Sequence, residues 1–121
     1  MTVTLTLAQV AVDCDNAERL AGFWSALLGL PVGDGANEHF ALLPAAPTGS
    51  LPALMFLQVP EPRTGKNRLH LDLTATDRPL AVKRAVELGG TVLGEYDEYG
   101  ARWTTLTDPE GNVFDIADLH H

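Results

Sequence analysis

Cationic side chains are scarce in this 121-residue chain: eight Lys and Arg stand against sixteen Asp and Glu, for a formal net charge of −8 at pH 7. Non-specific binding to nucleic acid needs clustered cations against phosphate, and anionic membrane surfaces demand the same. No nucleic-acid partner and no membrane partner are therefore expected, and the acidity reads first as solubility. Cysteine is nearly absent. Cys14 stands alone, so no intrachain disulfide can form and a reducing, cytoplasmic setting fits. The lone thiol reads as a small apolar side chain rather than a nucleophile. No basic segment followed by an apolar run opens the sequence, so no signal peptide is expected, and no apolar run is long enough to span a membrane. The closing His120-His121 pair, native or a tag remnant, is left out of the functional reading.

What is present fits one domain with one core. The most informative stretch is Asn67 to Thr74, which reads as a strand. Leu69, Leu71 and Leu73 fall on one face, and His70, Asp72 and Thr74 on the other. Such a strand packs a core with its back and offers titratable groups on its front. Asp77 then caps a helix that opens with Pro79.

Around this strand the chain alternates cleanly. Val3 to Val12 predicts a strand, and Asn16 an N-cap. Leu20, Phe23, Trp24, Leu27 and Leu28 recur at helical spacing until Gly29 and Pro31 stop the helix. Core packing is the preferred role for Phe23. Gly33-Asp34-Gly35 marks a turn, Glu38 to Leu43 a strand, Pro44 to Pro52 a loop, and Leu54 to Val59 an apolar strand. After a connector ending at Lys66 and the central strand, Leu80 to Leu88 predicts a helix with Leu80, Ala81, Ala85, Val86 and Leu88 as its apolar positions. Thr91 to Leu93, Ala101 to Thr107 and Asn112 to Leu119 predict three more strands. Glu95 to Gly100 reads as a solvated hairpin loop, with a lid carrying Tyr96 and Tyr99 as the alternative. Asp108-Pro109-Glu110-Gly111 is a strong turn signal.

The two halves are alike, each a strand, a helix and further strands. Gln9 precedes the cap Asn16 by the same interval as His70 precedes the cap Asp77. The expected fold is α+β, a single domain over 1–121 built of two tandem βαβββ modules, the first about 1–62 and the second about 66–119. In such a doubling, Gln9 and His70 would point into one shared space.

Phe23-Trp24 with Leu28-Gly29, then Lys66 through Leu73, then Asp108 through Phe114 together make the chain resemble the vicinal oxygen chelate superfamily. That group includes glyoxalase I, bleomycin-resistance proteins, fosfomycin-modifying enzymes and extradiol dioxygenases, and the narrower resemblance is to small glyoxalase-like domain proteins. The resemblance implies modules that curl into an open barrel-like cleft, and often a homodimer. It implies metal ligands from the first and last strand of each module: Gln9 and His70 at the first-strand positions, and Asp115 near the end. The strand Leu54 to Val59 offers no carboxylate or His; Gln58 is its polar member and Phe56 holds the expected ligand position.

Two functions follow. The first is binding of a small organic molecule, as in antibiotic sequestration or an uncharacterised metabolic conversion. Its candidate contacts are Trp24, His39, Phe56, His70, Trp103 and Asp115, with Phe40, Phe114 and Gln9 beside them. Aromatic faces suit planar and cationic rings, and an acidic protein favours a cation over an anion. The alternative is a lyase, isomerase or dioxygenase using a divalent metal ion at Gln9, His70 and Asp115. His70 has a simpler role open to it, a hydrogen bond to Asp72 or Asp115. A third possibility is an interaction module whose cleft residues fill a dimer core. No catalytic residue follows from the sequence.

Overall fold

A computed structural model describes residues 5–49, 51–65 and 67–119. Val3 of the first expected strand, Lys66 and the terminal His pair lie outside the described residues. The fold is α+β, with seven strands and two helices among the described residues, in the order β1 (Gln9–Cys14), α1 (Ala17–Leu28), β2 (Phe40–Leu43), β3 (Ala53–Gln58), β4 (Leu71–Ala75), α2 (Arg78–Glu87), β5 (Thr91–Glu98), β6 (Ala101–Thr107) and β7 (Val113–Asp118). The chain divides into two compact units, Met1–Arg63 and Thr64–His121.

In the first unit the sheet order is β1-β3-β2, with β1 parallel and β2 antiparallel to the central β3. A parallel pair needs a crossover, and α1 forms part of it. The Asn16 side chain accepts the Arg19 amide at 3.0 Å, and Gly29 ends the helix in the left-handed region at φ 70°, with its amide and that of Leu30 both bonded to Ser25 O. Ala17, Leu20, Ala21, Phe23 and Trp24 form the buried stripe of α1, which packs on β2 and β3. Cys14 is buried, as its apolar reading expects, and its thiol donates to Leu57 O at 3.4 Å.

Two expectations shift here. Among the described residues the first strand begins only at Gln9, because Leu5 and Leu7 alternate in sequence but are exposed and stand outside any sheet ladder. Among its described residues the unit carries three strands where the doubling predicts four. The stretch around Gly33 only approaches β2, its amide bonding Leu42 O at 2.8 Å.

In the second unit the order is β4-β7-β6-β5, with β4 parallel to β7 and the other neighbours antiparallel. The first strand of each unit thus pairs in parallel with the last, which is the topological mark of the repeat. Asp77 accepts the Leu80 amide at 3.0 Å as the N-cap of α2. Asp108 is buried at the β6–β7 turn, where its Oδ1 accepts the amides of Glu110 and Asn112 at 2.9 and 3.0 Å.

Phe114, Ile116, Leu106 and Thr104 are buried, and Asp118 on the same face of β7 accepts a bond from Arg78 Nε of α2 at 2.9 Å. Helix α2 therefore covers that face. Arg78 also donates to Thr104 Oγ1 at 2.9 Å, so a polar clamp docks the first turn of the helix. The apolar stripe predicted for α2 is only partly used: Ala85 is buried, whereas Leu80 and Val86 are exposed. Leu69 likewise lies before β4 and is 84% exposed, so the apolar back of the central strand reduces to Leu71 and Leu73.

The stretch Glu95 to Gly100 is not a loop. Strand β5 runs to Glu98, and the hairpin turns on Tyr99 and Gly100 alone, at φ 54° and 76°. Two residues of positive φ match the twist of antiparallel strands, which lets pairing continue to Glu98 with Ala101.

Candidate functional site

The face of the second sheet opposite α2 follows from the alternation of β7. Val113, Asp115 and Ala117 point away from the helix-covered side. Register brings Asp72 of β4 beside Asp115, and Thr105 of β6 on its other flank. Two carboxylates on adjacent strands repel one another, so the pair calls for a positive or proton-donating neighbour. His70 is that neighbour. It directly precedes β4, and its Nε2 lies 3.1 Å from Asp72 Oδ1 and 3.6 Å from Asp115 Oδ2. Thr105 Oγ1 donates to Asp115 Oδ1 at 2.6 Å. Both oxygens of Asp115 are thereby oriented, one by Thr105 and one toward His70. The Asp115 side chain is 20% exposed, and those of His70 and Asp72 are 50% and 70% exposed, so the cluster opens to solvent along its outer edge.

One pleat repeat further along the same face, about 7 Å, the next row reads Thr74, Ala117, Trp103 and Tyr96. Trp103 and Tyr96 stack with ring centroids 5.3 Å apart and planes 19° apart. Tyr96 leans back over Gly94, where a β-carbon would meet its hydroxyl oxygen at 3.0 Å. The face thus carries a planar aromatic surface beside an acidic, imidazole-bearing cluster.

Most of the other expected residues belong to the first unit. Gln9 opens β1, the position equivalent to His70, and its amide contacts Met55 Sδ at 3.7 Å. Trp24 is buried and packs edge-on against Phe23, and Phe56 is fully buried at the middle of β3. Both serve the core of that unit. Phe114 does the same in the second unit, while Phe40 sits part-exposed on the outer strand β2. His39 is exposed, with Nδ1 2.5 Å from Gln58 Oε1 and Nε2 3.5 Å from Glu38. Gln58 also lines a recess of about 300 Å³ with Asp15, Val59 and Pro60. Thr105 was not expected at the site, and Tyr96 was weighed there only as part of a lid. Their place depends on pairing register, which local sequence pattern does not encode.

One nitrogen of His70 and one oxygen each from Asp72 and Asp115 lie within 4.8 Å of one another. An imidazole with two carboxylates is a donor set that suits a divalent cation of hard or borderline character. No helix among the described residues is long and apolar enough to cross a membrane.

Two βα units, each closing its first strand onto its last, with a titratable cluster on one sheet face, define the class of protein. The chain belongs to the glyoxalase-like domain family, whose model matches residues 9–117, and so to the vicinal oxygen chelate superfamily. Among solved structures it is similar to a glyoxalase/bleomycin resistance protein/dioxygenase family enzyme from Burkholderia phytofirmans, at 18% identity and a TM-score of 0.77 over 93% of this chain and 98% of that one. A fosfomycin resistance protein from Listeria monocytogenes gives 9% identity and 0.74 over 98% and 96%. A lactoylglutathione lyase from Agrobacterium tumefaciens gives 14% and 0.68 over 96% and 95%. At these identities the likeness is one of fold. No curated protein matches the chain significantly.

Proposed function

We propose that this protein binds a small organic molecule on the open face of its second sheet, with a planar ring on Tyr96 and Trp103 and a cationic group toward Asp72 and Asp115. The observation that carries the reading is the placement of an aromatic stack and a carboxylate pair on one face, a single pleat repeat apart. Binding sites combine apolar area with a few placed polar groups, and this face has both. A cation over an aromatic face gains roughly 0.5–2 kcal/mol, and the net charge of −8 favours cations at longer range. Sequestration of an antibiotic and conversion of a metabolite are the two uses such a site can serve.

The test is a fluorescence titration with proflavine, a planar cation, against 1-anilinonaphthalene-8-sulfonate, an anion with comparable rings. Proflavine binds more tightly, and Trp103→Ala weakens it by about five- to thirtyfold, the equivalent of roughly 1–2 kcal/mol. Equal binding of both dyes, or no change in Trp103→Ala, overturns the reading.

A second reading is favoured by the three donor atoms within 4.8 Å: a divalent ion held by His70 and Asp115, for lyase, isomerase or dioxygenase chemistry. Such an ion supplies Lewis-acid polarisation of a bound oxygen. Thr105 keeps the Asp115 carboxylate oriented, and the aromatic pair holds and shields the organic part of a substrate.

A further inference from the structure

We propose that Asp72 is a metal ligand, and that His70, Asp72 and Asp115 form a divalent-cation site carried wholly by the second sheet. The inference rests on the second reading above, that an ion occupies the His70 and Asp115 pair. It departs from the sequence expectation in replacing Gln9 with a residue two places after His70.

Three features of the sheet lead there. First, β4 and β7 are parallel and in register at Asp72 and Asp115, so both carboxylates rise from adjacent strands on one face. Both are Asp, with the shortest acidic side chain. The imidazole of His70 reaches both, at 3.1 and 3.6 Å, so the three side chains would hold an ion together. Second, two carboxylates match the charge of a divalent ion, which a neutral amide such as Gln9 does not. Third, Thr105 holds Oδ1 of Asp115 at 2.6 Å and leaves Oδ2 facing the cluster. A hydrogen bond that orients a ligating carboxylate is the usual outer support of a metal site. His70 is half exposed and Asp72 more so, so an ion held there would be accessible to water or substrate, as a reactive site requires.

The experiment titrates Mn²⁺ and Zn²⁺ by calorimetry into the full chain carrying His120→Ala and His121→Ala, which removes the terminal imidazoles as competing ligands. One ion binds per chain. Asp72→Asn, His70→Ala and Asp115→Asn each weaken it at least tenfold, and Gln9→Ala leaves it within twofold. Mn²⁺ also broadens the amide resonances of Leu71–Ala75 and Val113–Asp118 before any others, a readout that locates the ion without a variant. Far-UV circular dichroism confirms that each variant is folded. Absence of saturable binding in the parent overturns both the proposal and the reading beneath it. Binding that is lost in His70→Ala and Asp115→Asn but kept in Asp72→Asn overturns the role of Asp72 alone. Loss in Gln9→Ala, or broadening centred on the first unit, overturns the assignment to one sheet.

Discussion

Gly94 is where the aromatic pair can be disturbed without touching either ring. A β-carbon at this position lies 3.0 Å from the Tyr96 hydroxyl oxygen and 3.3 Å from its Cζ, and the backbone there is not left-handed. Gly94→Ala therefore acts through Tyr96. Ala restricts the unfolded chain and favours folding by about 0.4–1 kcal/mol. Against this, the phenol ring must swing off its rotamer, at about 0.5–1.5 kcal/mol. Any lift from Trp103 forfeits part of the about 0.5–1.5 kcal/mol that ring stacking contributes beyond burial. The opposing terms leave a net destabilisation of about 1 kcal/mol. In a Tyr96→Ala background the obstruction is gone, and the same Gly94→Ala stabilises by about 0.4–1 kcal/mol. The two positions are thus coupled by about 1.5–2 kcal/mol in a double-mutant cycle. Urea unfolding of the four proteins, followed by circular dichroism, measures it. If Gly94→Ala has the same effect in both backgrounds, to within about 0.4 kcal/mol, Tyr96 is not seated over Gly94 and the aromatic surface is not as described.

Two further outcomes follow from the same sheet. Asp108→Ala strips the β6–β7 turn of the carboxylate that accepts two backbone amides and the Asn112 side chain, and it destabilises the protein by about 3 kcal/mol in chemical denaturation; a loss under about 1 kcal/mol would show that water replaces the carboxylate freely. Thr105→Val keeps the side-chain shape but removes the 2.6 Å bond to Asp115. It costs about 1 kcal/mol of stability and, on the ion reading, about ten- to a hundredfold in Mn²⁺ affinity by calorimetry; unchanged affinity counts against Thr105 as the group that orients Asp115.

Elements governed by near neighbours were legible in the sequence. The helix from Ala17 to Leu28 shows its cap, its buried stripe and its glycine stop within one short window, and each acts on backbone groups a few residues away. The Asp108 turn is of the same kind. The alternation that set His70 and Asp72 on the front of the central strand also stands, with His70 one residue ahead of β4. Alternation misled where no partner strand was present. Leu5, Leu7 and Leu69 have strand spacing, yet a strand exists only when a neighbour takes its amides and carbonyls. The reverse error occurred at Glu95 to Glu98, where polar residues suggested a loop and cross-strand pairing with β6 made a strand.

The chain by itself determined the two βα units, their caps and turns, the family, and the presence of His70 and Asp115 as chemically able side chains. Only the tertiary structure decided that Asp72, Asp115 and Thr105 stand in one row, and that Tyr96 lies on Trp103 one row away. The reason is that strand order and register are properties of paired backbones. Shifting either strand by one residue sends every side chain to the opposite face, while the one-dimensional pattern along the chain stays the same.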